Sequence, residues 1–448
     1  MKKVAGIKIG VSGVRGLVGI TLSAENIVNF ARAFATLIRG GKVAIGTDSR
    51  PSGDFINSAV VSGLIFSGIT PVNLGIVSTP TLAIYIKEKK LDGGIIITAS
   101  HNPEEWNGLK FLNSEGIFLS PFKIQNLVDI YHQRGFILPE NNFFHKTIDE
   151  QDSFGIHMSK IYRIIDKDMI KKRNFKVLMD TGGGVGSFFS KIFLENLNCQ
   201  VTMINDKVGK KFPRAPEPIP KNIKSCSEIM REGQFDIGFA QDPDADRLAI
   251  IDENGVVLGG DVTLAVLLYG YLSRKKGSTI VVNQSTSRVV EYVASAQGTK
   301  VLKSAVGEIN VVEMMKNSGA IAGGEGNGGI IIPEVHYCRD SFTGMAIMLD
   351  TMARSEKRVS EITSVMPKYY RIKKKIPFSM SGAQKVISIL KEEYKDADTL
   401  DGIRIDKQDY WFHIRPSNTE PVLRIVAEGT TKQIYKIIED IEKKILSK

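Results

Sequence analysis

The chain has 448 residues, 42% hydrophobic, 24% charged and 8% aromatic, which describes an ordinary folded protein. At about 100–200 residues per domain, that length calls for three or four domains. A net charge of +10 favours anionic partners, while three cysteines (Cys199, Cys226 and Cys338) leave no CxxC pair and argue against a disulfide framework or a thiolate zinc site.

In chain order, Met1-Lys2-Lys3 opens a segment soon broken by Gly10, Ser12, Gly13 and Arg15. No signal peptide fits there and no apolar run reaches the roughly 18 residues of a membrane span, so a cytoplasmic protein is expected. Ser12 to Gly16 places Arg15 on a glycine-flanked loop. A repeated strand–helix–strand–loop unit follows. The first copy predicts strands over 42–46, 71–75 and 93–97, with Val60, Leu64 and Ile65 at helical spacing between the first two. The third strand runs into Thr98-Ala99-Ser100-His101-Asn102-Pro103. Lys110 lies shortly beyond it. The second copy predicts strands over 176–180, 200–204 and 235–240, then Gln241-Asp242-Pro243-Asp244-Ala245-Asp246-Arg247. The third predicts strands over 278–282, 299–302 and 319–323, then the glycine-rich stretch Gly324 to Gly329. After about residue 370 the texture changes. A helix over 384–394, strands over 402–405, 410–414 and 422–427, and an amphipathic helix over 432–446 predict a small α+β domain, with 354–370 a candidate hinge. Strands alternating with helices predict layered α/β domains, and loops beyond the carboxyl ends of parallel strands predict one shared cleft.

The aspartate loop has the clearest chemistry. Three carboxylates at alternate positions, in a turn fixed by Pro243, raise one another's pKa or recruit a cation, and all-oxygen ligands suit a hard ion such as Mg2+. A calcium-binding EF-hand fails because Arg247 stands where the turn requires glycine, although Glu253 falls at the twelfth position. Ser100 reads either as the N-cap of a following helix or as an exposed nucleophile able to carry a phosphoryl group. No G-x-S-x-G elbow surrounds it. His101 reads as a general base or as a hydrogen-bonded positioning group. Glu325 and Asn327 are either sugar-hydroxyl ligands or parts of a tight turn; the loop lacks the Lys-Ser/Thr of a P-loop. Arg415, Ser417, Asn418 and Thr419 read as a phosphate cradle or a surface turn.

Taken together, the five stretches 12–16, 98–103, 242–247, 324–329 and 415–421 resemble, in order and over essentially the whole chain, the α-D-phosphohexomutase family. The pair formed by the Ser100 and aspartate loops is its most specific signature. The resemblance implies four domains around a central cleft, the first three of similar mixed-sheet α/β topology and the fourth a smaller α+β domain, with boundaries at 1–150, 151–256, 257–369 and 370–448. It implies a phosphoserine at Ser100 that completes a magnesium shell with Asp242, Asp244 and Asp246. Arg15 and Lys110 match positions for proton transfer or phosphate stabilisation, and Arg247 an arginine near the phosphoryl group. Glu325 and Asn327 fall on the sugar loop; Arg415, Ser417, Asn418 and Thr419 fall on the distal phosphate loop. Where many members carry histidines this chain has Glu308 and Gly329, so no general-base role transfers to either position. The implied activity is interconversion of hexose 1- and 6-phosphates through a hexose 1,6-bisphosphate, which also primes the serine. Glucosamine phosphate is the favoured substrate, with mannose or glucose phosphate the alternative; a phosphosugar phosphatase and a non-catalytic binder are the rival classes. Partners are expected to be small phosphosugars, not nucleic acid or membrane, and the chain a monomer or homodimer. The basic runs 171–173, 210–211 and 373–375 lack interleaved aromatics and read as solvated lysine faces.

Overall fold

The computed structural model describes residues 6–10, 13–138, 145–275, 277–417 and 421–446. Among these residues the strands form four sheets. In the first unit Lys42–Thr47 pairs in parallel with Thr70–Ile76 and Gly93–Ile97, and Trp106–Asn113 runs antiparallel outside Gly93–Ile97. The second unit repeats this with Lys176–Asp180 between Gln200–Ile204 and Ile237–Gln241, and Leu248–Ile251 antiparallel outside. In the third, Thr279–Asn283 lies between Lys300–Ser304 and Ala322–Glu325, with Gly329–Ile331 antiparallel. The antiparallel fourth strand is the feature the sequence reading does not identify in units one and three. It matters for function, because it turns each polar loop into the tip of a hairpin held at both ends. The first sheet is widened by Gly13–Leu17 and Lys8–Gly10 at one edge and Ile148–Asp149 at the other.

Burial explains these strands. Gly93–Ile97 is buried at every position, as a central strand covered on both faces requires. Units two and three share one apolar cluster running from Phe154 to Met366, which also takes in Ile84 of the first unit. The fourth sheet is wholly antiparallel, in the order Tyr370–Pro377, Val422–Gly429, Tyr410–Pro416, Ile403–Asp406. The helices Met380–Glu393 and Gln433–Leu446 close its separate core around Phe412, Ile414 and Ile438. The candidate hinge is largely packed structure. Helix Val359–Ser364 buries Val359 and Ile362 in the large core, and Met366 and Tyr369 pack there too. Of the expected solvated basic residues, 171–173 and 210–211 are exposed, and so are Lys373 and Lys375, with Lys374 half-buried; the strand of the last three also walls a cavity. No helix among the described residues is long and apolar enough to cross a membrane.

Candidate active site

The Ser100 hairpin tip links Gly93–Ile97 to Trp106–Asn113, with Ile97 opposite Leu109. The next element after Ser100 is a strand, so the N-cap reading of this serine is incorrect. Ser100 is 2% exposed and adopts φ 50°, a left-handed backbone that non-glycine residues rarely take except where surroundings impose it. What imposes it is Arg50, a buried residue that sequence reasoning missed. Its guanidinium donates to the carbonyls of Ser100 (2.6 Å), Asn102 (2.7 Å), Pro103 (2.5 Å) and Trp106 (2.9 Å). Asp48 accepts from Arg50 Nε at 3.0 Å and from the Thr98 hydroxyl at 2.6 Å. Both residues follow the first strand, so the strand-end rule that flagged the other loops applied here too.

The aspartate tip joins Ile237–Gln241 to Leu248–Ile251, with Gln241 opposite Leu248. Asp242, Asp244 and Asp246 are completely buried, and one oxygen from each lies within 4.8 Å of the others. Ser100 Oγ donates to Asp242 Oδ2 at 3.2 Å. Lys110 Nζ donates to Asp244 Oδ2 at 2.5 Å and lies 3.5 Å from Asp246, while the Thr79 hydroxyl donates to Asp244 at 2.7 Å. Burial, then the Asp246 and Asp244 charges, push Asp242 well above the usual carboxylate range. Burial pushes Asp244 the same way, but the Lys110 ammonium and its hydrogen bond outweigh it and hold the group low. Asp244 Oδ1 and Asp246 Oδ1 are buried and make no hydrogen bond. A buried cluster of three carboxylates, two of them with an oxygen that makes no hydrogen bond, fits a small hard divalent cation. Glu253 is turned away, accepting from Ser360, and belongs to no such cluster among the described residues.

The surrounding cations arrive from three units. The pairing of Gly13 with Lys110 and Arg15 with Gly108 puts Arg15 and Lys110 on one face of the first sheet. Gly108 leaves the room, since a Cβ there would lie 2.9 Å from Arg15 Cγ. Arg15 also donates to Asn102 at 3.2 Å. Arg247 donates to Glu217 at 3.0 Å and stands 3.7 Å from Asp246. His101 Nδ1 lies 3.3 Å from Ser100 Oγ. The Arg247 charge first, then burial and Arg15, push its pKa down to about 2, so the ring is neutral in this arrangement. Arg339 and Glu308, neither of them anticipated as site residues, complete this end. A cavity of about 140 Å3 is bounded by Ser100, Arg15, Lys110, Arg247, Arg339 and Glu325.

Glu325 and Asn327 occupy the third hairpin tip, where Glu325 opposes Gly329. Glu325 Oε1 accepts from Asn283 at 2.8 Å and from the Gly307 N–H at 3.2 Å. Both residues also border a second cavity of about 220 Å3, walled opposite by Arg371, Lys373, His413, Arg415 and Arg424. Arg415 faces Arg424 across the fourth sheet and lies 3.8 Å from Asp401. Ser417 is buried and its N–H donates to the Val422 carbonyl. Asn418 and Thr419 lie outside the described residues. A third space, about 580 Å3, joins Arg15 and Trp106 on one side to Lys373, Lys375 and Arg424 on the other. Shared walls make these three spaces one cleft with a cationic end at Ser100, a cationic end at Arg415, and Glu325 between.

Models of the phosphoglucomutase/phosphomannomutase family match the chain in four parts: α/β/α domain I over residues 6–137, domain II over 156–255, domain III over 259–369 and the C-terminal domain over 358–444. A protein of Methanopyrus kandleri described as a probable phosphoglucosamine mutase is 33% identical over 96% of both chains. A phosphoglucomutase/phosphomannomutase of Thermococcus kodakarensis is 34% identical over 95% of both. The crystal structure of a phosphoglucomutase/phosphomannomutase family protein from Burkholderia thailandensis superposes with a TM-score of 0.86 at 25% identity, covering 98% of this chain and 96% of that one. With four hairpin-bearing domains around one cleft and relatives matched from end to end, the chain belongs to the phosphoglucomutase/phosphomannomutase family of phosphohexomutase enzymes.

Proposed function

We propose that this enzyme interconverts hexose 1-phosphate and hexose 6-phosphate through a phosphoserine at Ser100 and a hexose 1,6-bisphosphate intermediate. Glucosamine phosphate is the preferred substrate in this reading and glucose or mannose phosphate the alternative, matching the two relatives' descriptions in turn. The observation that carries the reading is the pairing of a nucleophile at 3.2 Å from a buried carboxylate triad with a second cationic cradle across the same cleft. A hydrolase acting on a monophosphate needs one anion end; a ligand that carries phosphate at both ends uses two.

In the forward direction phosphorylated Ser100 gives its phosphoryl group to a free hydroxyl of the bound monophosphate. The bisphosphate turns over and returns its other phosphoryl group to Ser100. Phosphoryl transfer demands positioning and charge neutralisation above all. Asp242, Asp244 and Asp246 would hold magnesium beside the phosphoserine, where the ion supplies charge neutralisation at phosphoryl oxygens. Arg247 and Arg15 face the transferring group, and protonated Lys110 supports both the triad and that group. Asp244 and Asp246 together outweigh the burial that would otherwise lower the Lys110 pKa. Glu325 and Asn327 read sugar hydroxyls, Arg415 with its neighbours grips the distal phosphate, and closure of the fourth domain (taken as 370–448, after units 1–150, 151–256 and 257–369) excludes water that would hydrolyse the phosphoserine.

The test is a panel assay of purified enzyme with glucosamine, glucose and mannose 1-phosphates, magnesium and a hexose 1,6-bisphosphate primer. Isomer formation and inorganic phosphate release are followed side by side. The expected result is 6-phosphate formation, fastest with glucosamine phosphate and with phosphate release negligible. Phosphate release without isomer formation would overturn the reading.

A further inference from the structure

Arg339 immediately precedes Asp340, which caps helix Ser341–Ser355 by accepting from the Phe342 N–H at 2.9 Å. The cap fixes where the arginine leaves the backbone. The residue is 7% exposed and surrounded by acids from two units. Nη2 donates to Asp246 Oδ2 at 2.6 Å, Nε donates to Glu308 Oε2 at 2.9 Å, and Nη1 lies 3.4 Å from Glu325 Oε2. The Arg339 main-chain N–H takes the other oxygen of Glu308 at 2.9 Å. Glu308 therefore spends both oxygens on this one residue.

The space for this arrangement is built into the sheet. A Cβ at Gly329 would lie 2.5 Å from Arg339 Cδ and 2.9 Å from its Cγ. Gly329 is glycine for room: the arginine stem occupies the volume a side chain there would claim. One group is left over. Nη1 is buried and makes no hydrogen bond, and the residue borders the 140 Å3 cavity together with Ser100, Lys110 and Glu325. An unmade bond at a buried charged donor is costly, so a donor held this way is kept for an acceptor that arrives with the ligand.

We propose that Arg339 is a catalytic residue whose Nη1 donates to the hexose oxygen that accepts or releases the phosphoryl group between Ser100 and Glu325. This rests on the mutase reading of the site. In the transfer the P–O bond to Ser100 Oγ breaks as the P–O bond to the hexose oxygen forms. The proton lost by the sugar hydroxyl ends on Ser100 Oγ. In the return half, the second hexose oxygen is the leaving group and gathers negative charge. A guanidinium, charged at any working pH, binds that oxygen more strongly in the transition state than in the ground state, which is the condition for raising kcat.

Arg339→Lys keeps a cation between Asp246 and Glu308 but removes the fork, and Gly329→Ala keeps the guanidinium but displaces its stem. Each is expected to lower kcat about 10- to 100-fold while KM moves less than about threefold. Binding of hexose 6-phosphate, measured by calorimetry without turnover, should stay within about threefold, and guanidinium chloride should partly restore Arg339→Ala. Unchanged kcat in Arg339→Lys, a rise in KM alone, or a loss that saturating magnesium restores and guanidinium does not, would each overturn the proposal and leave Arg339 as a support for Asp246. No mutase turnover in the wild type with any of the three hexose phosphates would instead remove the mutase reading, and this inference with it.

Discussion

The first three units and the fourth domain are held in place by different physics. In the trunk, apolar clusters cross between units: the one from Phe154 to Met366 spans units two and three and reaches Ile84 in the first, which also keeps a core of its own around Phe30 and Phe111. The fourth domain keeps its own core from Ile372 to Ile445 and meets the trunk through polar bonds. Ser285 and His413 are 2.9 Å apart, the Val306 N–H donates to Asp401 at 2.9 Å, the Arg288 N–H donates to Glu428 at 2.9 Å, and Arg371 pairs with Asp261 at 2.6 Å. Polar groups at a seam can trade protein partners for water at small net cost, whereas splitting an apolar core exposes area at about 25 cal/mol per Å2. In the proposed mechanism the nucleophile and aspartates thus lie within the packed trunk, and the proposed distal phosphate cradle lies beyond a polar seam.

The sharpest way to break this division is to remove a trunk residue and ask whether chemistry survives. Ser100→Ala is expected to lower mutase turnover by at least about 10³-fold, with thermal stability and phosphosugar binding nearly unchanged. Retained turnover would take Ser100 out of the mechanism. Next in size is Arg50→Ala. The Arg50–Asp48 pair is fully buried, so the substitution strands Asp48 and frees four carbonyls of the Ser100 loop. A loss of about 3–5 kcal/mol is expected, read as an earlier unfolding transition in a denaturant series, together with most activity. Fourth-domain signals, such as Trp411 fluorescence, should change little before that transition.

These two residues also mark what the sequence made legible. Ser100 and the three aspartates stood out because each lies in a short polar stretch directly after a buried strand, so local pattern was enough. Arg50, Thr79 and Arg339 act on groups 50, 165 and 93 positions away, and no spacing rule links such partners. Thr79 was nearest to being found, since Ser78 before Thr79-Pro80 is a helix-start signal and helix N-termini tend to face anions. The strand triplets were legible from their apolar runs. The short antiparallel strand Gly329–Ile331 was not, because three residues carry no period. Lys373 and Lys375 are exposed as expected, but their strand also walls the cleft, which no basic run reveals until the opposite wall is known.

Across the seam the expectation reverses. Arg415→Ala removes a cation from the distal cradle without touching Ser100, so KM should rise about 10- to 100-fold with kcat within about threefold. Initial-rate kinetics on the variant decide it. A fall in kcat at unchanged KM would mean that the cradle supports the transition state, and the division between fixed chemistry and movable binding would fail.

The smallest expected effect tests the seam itself. Burial holds His413 down to about 4, against an ordinary histidine value near 6.5, although the bond to the Asp401 carbonyl and the Asp401 charge pull the other way and Arg415 and Arg404 add to the depression. A histidine with a lowered native pKa binds fewer protons in the native state than in the unfolded chain. Native stability of this domain is therefore at full strength above about pH 6.5 and weakens as pH falls toward 4, by about tenfold in the folding equilibrium at pH 5.5. Hydrogen exchange in strand Tyr410–Pro416 and its neighbours, compared at about pH 7.5 and about pH 5.5 after correction for intrinsic rates, reads this directly; Ser285→Ala should give a loss of a few-fold at both. The trunk supplies the contrast. His336 is likewise held down to about 4 by burial, although its Nε2–H donates to the Gly116 carbonyl 2.9 Å away and that bond pulls the other way. Its cost at low pH falls within the trunk, where apolar clusters cross between units, and should appear as lowered cooperative stability of the trunk. Exchange that rises equally in both regions between the two pH values would show that the seam is no weaker than the core behind it.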